Sequence, residues 1–312
     1  MVGIVILNYN TPNDVLSCVR SIFEFTKNIS FKIYIVDNAS QDNSKKIFNQ
    51  NFSTNPLITI LHNNQNQGFS AGNNIGIRRA INDNAEYICV LNADVILLNN
   101  AIEEMVNSLN NDSSIGVSAP SILEPHSEKE AQFARCKLTW ENYFLEKTRL
   151  IKFKKLAKKH PRYLKRDQPF DNDFKFMGMT YGCCYLIRSS ILEKNKGLDE
   201  AVFLFGEEDI LAHQLYKNHY YTLITPKAKI FHNHHSSINK TSQANRVFHL
   251  RLSPQIVLRK YAKTNIFKLL ILICPFCIDW AIRAIFNKDY RVLFTKYIKK
   301  NIEVLRIPLN KG

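Results

Sequence analysis

Over the first 120 residues, short continuous apolar runs alternate with stretches of helical periodicity. Val2 to Leu7, Phe31 to Val36, Leu57 to Leu61, Tyr87 to Leu91 and Gly116 to Ala119 read as strands. Helices are expected between them: Pro12 to about Phe25, one carrying Ile47 and Phe48 with Ser40 or Asp42 as cap, about Ala71 to Ile81, and Ala101 to Leu109. A strand apolar along its whole length is covered on both faces, and parallel strands reach that state through crossover helices. The pattern therefore predicts an α/β fold with a doubly wound, mostly parallel sheet. Ligands of such sheets bind beyond the carboxyl ends of the strands.

The polar residues at those ends are the first candidates for function. Asn92-Ala93-Asp94 follows the fourth strand, and a short carboxylate there can hold a divalent cation whose other ligands are phosphate and water. The same residues could instead cap the next helix or shape a turn. Asp37 closes the second strand, where an acid can accept hydrogen bonds from a base or ribose. Neither a G-x-G-x-x-G nor a P-loop follows strand one, where Asn8-Tyr9-Asn10 stands, so dinucleotide and P-loop readings are weak. Farther on, Glu207-Glu208-Asp209 opens a helix after an aromatic-glycine turn. One acid would satisfy the helix dipole; a cluster can also raise the pKa of a buried member and supply a general base. His232 ends a strand and is followed by His234 and His235, a grouping suited to a metal or phosphate.

Elsewhere the pattern is less regular. Met177 to Ile187 reads as a strand broken at Gly182, Ser189 to Lys194 and Glu207 to Lys217 as helices, and Tyr220 to Ile224 and Lys229 to His232 as short strands. The net charge of +15 is localised. Ten Lys or Arg and no acid lie between Lys147 and Arg166, and residues 246–312 carry a net +11. Such surfaces suit nucleic acid or anionic headgroups. Ile266 to Phe286 is apolar but interrupted by Lys268, Pro275, Asp279 and Arg283, so an interfacial segment with Trp280, Lys268 and Arg283 near headgroups is expected rather than a clean span; a buried helix packed on the body is the competing reading. The seven cysteines have no paired spacing that would build a zinc or redox site, and Cys274-Pro-Phe-Cys277 stands alone. The first residues form a strand rather than a signal peptide, and a reduced, cytosolic setting is expected.

Taken in order, Val5-Ile-Leu-Asn-Tyr-Asn10, Val36-Asp-Asn-Ala-Ser-Gln-Asp42, Asn66-Gln-Gly-Phe-Ser-Ala-Gly-Asn-Asn-Ile-Gly76, Leu91-Asn-Ala-Asp94, Gly182-Cys-Cys-Tyr-Leu-Ile-Arg188, Gly197-Leu-Asp-Glu200, Phe203 to Asp209 and His232 with Ser236 resemble the family 2 glycosyltransferases of the GT-A fold, and in particular their rhamnosyltransferase-like branch. The resemblance implies inverting transfer of a sugar from a nucleotide-diphosphate sugar, with a UDP- or dTDP-sugar expected, to a hydroxyl of a glycan or lipid-linked glycan. Bacterial surface polysaccharide assembly is the expected setting. It further implies that Asn8, Tyr9, Asn10, Asp37, Asn66, Gly68, Asn73 and Asn92 line the donor site, with Tyr9 and Asp37 at the base and Asn92 at the ribose or nearby phosphate. Asp94 would bind Mg²⁺ or Mn²⁺ with His232 as second ligand. Glu208 would be the catalytic carboxylate, a role Glu207 or Asp209 could also hold.

Residues 1–240 are then expected to be the transferase domain, a nucleotide-sugar half (1–120) and an acceptor half (121–240) with a basic insertion at 126–175. Residues 241–312 are expected to be a helical extension associating peripherally with the cytoplasmic face of a membrane. Two other classes compete with this reading. A sugar nucleotidyltransferase would release pyrophosphate but would favour a glycine-rich basic loop after strand one. A nucleic-acid binder would explain the basic stretches but leave Asp94 and the acid cluster without a role, so no nucleic-acid partner is expected.

Overall fold

The computed structural model describes residues 1–123, 133–148, 150, 154–165, 170–233 and 242–309. Its first part runs β1 (Val2–Asn8), α1 (Pro12–Phe25), β2 (Phe31–Asp37), α2 (Ser44–Phe52), β3 (Ile58–His62), α3 (Phe69–Asn82) and β4 (Tyr87–Asn92). The four strands are parallel in the order β3-β2-β1-β4. Their apolar residues divide between two cores, because successive side chains point to opposite sheet faces. Ile4 and Ile6 enter the core under α1, and Val5 enters the one under α3. The register places Asn8 beside Asp37 and Leu7 beside Asn92, so the polar strand ends converge on one edge. The cap of α2 differs from expectation. Asn43 occupies the cap position, Asp42 accepts from Ser44, and Ser40 is drawn into the edge cluster instead.

Next come β5 (Val95–Leu97), α4 (Ala101–Asn111), β6 (Ile115–Leu123), β7 (Ala134–Arg135), α5 (Trp140–Lys147), α6 (Lys154–Lys159), β8 (Tyr163–Lys165), β9 (Phe174–Phe176), β10 (Cys184–Arg188), α7 (Ser189–Asn195), α8 (Glu207–Lys217) and β11 (Tyr221–His232). The sheet continues from β4 through β10, β6 and β11 to β5, with β9 also on β11. β10 is antiparallel to both β4 and β6, which joins the two halves of the sheet. The strand expected from Met177 starts only at Cys184. The two strands expected at Tyr220 and Lys229 are one strand, with an irregularity between Thr225 and Lys229. β5 and β9 are three-residue strands too short to show a period. Within the expected basic insertion, β7 pairs with β8 and α5 carries a capping box at Thr139.

The last part is a helical layer of α9 (Gln243–Lys260), α10 (Ile266–Phe286) and α11 (Lys288–Arg306). Its core is aromatic: Trp280 is fully buried and stacks on Tyr297 at 4.2 Å, with Phe248 packed edge-on against both. This corrects the expected headgroup position of Trp280. Lys268 and Arg283 stay partly exposed in surface ion pairs, Lys268 with Glu141 at 2.7 Å and Arg283 with Asp279 at 2.8 Å. Nor do Pro275 and the charged residues interrupt the segment: α10 runs unbroken for 21 residues and is long and apolar enough to cross a membrane. Pro275 lies on the exposed side of this helix.

Candidate active site

The edge formed by β2, β1 and β4 is built around Asn8. Its Nδ2 donates to Asp37 Oδ1 at 2.9 Å and to Ser40 Oγ at 3.0 Å, and its Oδ1 accepts from the Thr11 backbone at 3.1 Å. Asn8 is itself fully buried, so it orients Asp37 from below. Asp37 is buried too, with His62 Nδ1 3.6 Å from its second oxygen. Tyr9 projects from the same edge into solvent, and Asn10, in the left-handed region at φ 59°, accepts from the Gln41 backbone at 2.7 Å. These residues make this edge of the sheet acidic and aromatic.

A second cluster lies at the N-terminus of α3. Asn66 Oδ1 accepts from Gly68 N and from Asn38 Nδ2, both at 3.0 Å. Asn38 Oδ1 in turn accepts from Asn63 at 3.0 Å. Sequence reasoning passed over Asn38, although it lies inside the quoted segment after β2 and its amide joins two loops. Gly68 has φ 99°, and a Cβ there would stand 2.3 Å from the Phe203 carbonyl oxygen. That carbonyl accepts from Phe69 N at 2.9 Å, so the α3 terminus is stitched to the loop preceding the acids. Asn73 sits one turn into α3, fully buried, donating to the Phe69 carbonyl at 3.0 Å.

The turn after β4 leads into β5, which pairs antiparallel with the end of β11 and sets His232 opposite Val95. His232 Nε2 thereby lies 3.2 Å from Asp94 Oδ1, and both side chains are buried. Burial opposes a charge on the imidazole, but Cys183 and Asp94 beside it raise its pKa to about 10. Asn92 closes β4 with its backbone N–H bonded to the Cys183 carbonyl at 2.8 Å. A carboxylate and an imidazole at this spacing suit a divalent cation that displaces the imidazole proton and draws its remaining ligands from phosphate and water. No group of three or more metal-ligating side chains occurs among the described residues, so phosphate would have to complete such a shell. His234, His235 and Ser236 lie outside the described residues.

The three acids at the start of α8 have separate environments. Arg162 Nη2 donates to both oxygens of Asp209 at 2.8 and 2.9 Å, and Arg135 Nε lies 3.5 Å from the same carboxylate. Burial pushes the Asp209 pKa up, but the two guanidiniums more than offset it and hold the group below its ordinary value. Glu207 goes the other way: burial, then the charge of Glu208, raise its pKa well above the usual range. Glu208 is partly open to solvent, 3.8 Å from Arg135, and packs on Gly182, where a Cβ would come within 2.6 Å of its Oε1. Gly182 immediately precedes Cys183, whose carbonyl holds Asn92, so Glu208 is anchored next to the end of β4. The loop into α8 is strained, with Phe205 at φ 62° and Gly206 at φ 123°. Arg135, Arg162 and the packing role of Gly182 escaped the sequence reading. Both arginines come from the irregular region, and nothing local marks a guanidinium as facing an acid so far along the chain.

Comparisons with known proteins identify the family and the fold. The model of glycosyl transferase family 2 matches residues 3–195. Glycosyltransferase GlyG of Streptococcus pneumoniae is 30% identical over 105 residues, 34% of each chain. The low-salt glycan biosynthesis hexosyltransferase Agl10 of Haloferax volcanii is 24% identical over 210 residues, 66% of this chain and 58% of its own. The match thus spans about a third and under three-fifths of these relatives' lengths. Among solved structures, GalNAc-T7 with UDP, GalNAc and Mn²⁺ superposes with a TM-score of 0.58 at 15% identity, covering 81% of this chain and 48% of that one. Staphylococcus aureus TarS in complex with UDP gives 0.50 at 11% identity, covering 82% and 65%. The fold is the GT-A type, a mixed and mostly parallel sheet with a helical C-terminal region. The chain belongs to glycosyl transferase family 2.

Proposed function

We propose that this glycosyltransferase moves a hexosyl or deoxyhexosyl group, with inversion, from a UDP- or dTDP-sugar to a hydroxyl of a glycan or lipid-linked glycan in bacterial surface polysaccharide assembly. Work at the cytoplasmic face of a membrane, as a peripheral protein, completes the reading. The observation that carries it is the different setting of the three acids: Asp209 is bound to arginines, burial and the charge of Glu208 push the Glu207 pKa well up, and Glu208 is partly exposed beside Gly182. UDP bound to GalNAc-T7 and TarS, and the hexosyltransferase name of Agl10, support the donor class.

In this reading Asp37, Tyr9 and Asn10 receive the nucleoside, with Asp37 pre-oriented by Asn8. The loop of Asn66 and Gly68, the buried Asn73 amide, and Asn92 line the diphosphate and sugar. Asp94 and His232 would hold Mg²⁺ or Mn²⁺, and the residues present fit it through one carboxylate and one imidazole. When bound, such a cation stabilises the charge that develops on the leaving diphosphate. Glu208 takes the proton of the acceptor hydroxyl as that oxygen attacks the anomeric carbon from the face opposite the diphosphate. With its pKa pushed up by burial and by Glu208, Glu207 spares the site a second adjacent negative charge. Holding donor and acceptor in register supplies much of the rate.

Nucleoside diphosphate release from a panel of UDP-, dTDP- and GDP-sugars, with Mn²⁺, Mg²⁺ or EDTA, tests this. Release from one donor, lost in Glu208→Gln and Asp94→Ala, is expected. If no donor of the panel binds by calorimetry, the reading fails.

A further inference from the structure

The α10–α11 hairpin has two unlike sides. Leu269, Leu272, Ile273 and Trp280 face inward and are buried against α9 and α11. On the opposite side of α10, Phe267, Ile271, Cys274, Ile278, Ile282 and Ile285 recur at intervals of three or four residues, and every one is exposed. Phe267 is 80% exposed, Ile278 62% and Ile285 66%. At a rise of about 1.5 Å per residue this stripe is roughly 27 Å long, and no polar residue breaks it. An unbroken apolar surface of that length marks a contact site.

Charge decides what covers it. The outward face of α11 presents Lys288, Lys299 and Arg306 beside the exposed Val292. The segment from residue 246 onward carries a net +11. Stripe-to-stripe pairing of two copies would bring these cations together, whereas an anionic bilayer complements them. Crossing the bilayer is a different matter. On the flanks of α10, Asp279 is ion-paired with both Arg251 and Arg283, and Lys268 with Glu141. A spanning α10 would carry Asp279 and its partners toward the hydrocarbon and strip the aromatic core from Trp280.

We propose that the outer face of the α10–α11 hairpin is a docking surface for an anionic bilayer, on which α10 lies along the headgroup boundary without crossing. α9 ties this surface to the catalytic end of the molecule. His249 stacks on Phe203 at 4.8 Å, and Ser253 Oγ donates to the Leu204 carbonyl at 2.7 Å, both in the loop that delivers the acids of α8. Docking therefore fixes the height of Glu208 relative to the membrane, and an acceptor whose sugar is tethered to lipid is the class this arrangement serves. The surface gives the peripheral membrane association proposed above its place in the fold, and the acceptor class rests on the proposed transfer reaction.

The test is flotation of the full chain with phosphatidylcholine vesicles and with vesicles containing phosphatidylglycerol, without donor, followed by alkaline carbonate extraction. Wild type is expected to float with the anionic vesicles alone, to be released by salt and by carbonate, and to run as a monomer without lipid. The variant Ile271→Asp/Ile278→Asp/Ile282→Asp alters only exposed positions. It is expected to keep the wild-type melting temperature and its nucleoside diphosphate release in solution while binding vesicles at least tenfold more weakly. Carbonate-resistant wild type would mean a spanning helix and overturn the proposal. So would absence of flotation, including the case of a dimer that the triple variant dissociates. Flotation of a protein that binds no donor of the panel by calorimetry would retain the docking surface and remove the proposed function instead.

Discussion

Arg162→Met is the most informative single change, because it removes one partner of a pair buried on both sides. Side-chain exposure is 5% for Arg162 and 6% for Asp209. Breaking a buried pair by deleting one partner costs about 3–5 kcal/mol, chiefly because the other charge stays desolvated. Arg135 remains 3.5 Å from Asp209 and offsets part of this, so the loss belongs near about 3 kcal/mol. For a chain of this size each kcal/mol lowers the melting temperature by about 2 °C, giving a drop of roughly 6 °C. The sign with pH follows from the lowered pKa of Asp209. A carboxyl depressed in the folded state contributes stability above its unfolded pKa, and that contribution disappears as pH falls through the folded value. The deficit of Arg162→Met should accordingly be largest near pH 7 and shrink toward acid, where wild type also loses the pair. Arg162→Met/Asp209→Asn, which leaves no uncompensated acid, should recover more than half of the loss. Differential scanning calorimetry from pH 7 down to about pH 2 reads all of this. A melting temperature within about 2 °C of wild type at pH 7, or a double variant no better than the single, would refute the reasoning.

Gly182→Ala would put a Cβ 2.6 Å from Glu208 Oε1 and push the carboxylate off its seat. The turnover number should fall at least tenfold with donor affinity, measured by calorimetry, unchanged; a wild-type turnover number would take Glu208 out of the reaction. His249 is held neutral, its pKa lowered to about 4 by burial and then by Lys296. A histidine with a lowered folded pKa costs stability as pH falls below its unfolded value of about 6.5, since only the unfolded chain gains the proton there. His249→Gln should therefore flatten the loss of melting temperature between pH 6.5 and pH 4, and a slope equal to wild type would contradict that placement.

Much of this protein could be read along the chain. Continuous apolar runs such as Val2 to Leu7, each followed by a helix of regular period, specify parallel strands, and parallel strands bring Asn8, Asp37 and Asn92 to one edge. Aromatic, glycine and acidic residues in sequence placed α8 and its three carboxylates. These are local signals, carried by period, cap and turn chemistry over a few residues. Other features depended on the whole fold. β5 is three residues long, yet its antiparallel pairing with β11 brings Asp94 to His232 across 138 positions. Arg162 reaches Asp209 from 47 positions away, through a region whose composition announces no element. That contact, rather than any property of the Glu-Glu-Asp run, distinguishes the three acids from one another. α10 shows the same limit: its interruptions in sequence are, in space, ion pairs and an exposed proline on a continuous helix. Composition along a chain records what a residue prefers. Which charge neutralises which, and which apolar face stays uncovered, is decided by long-range packing, because desolvation and pairing depend on neighbours that only the folded chain supplies.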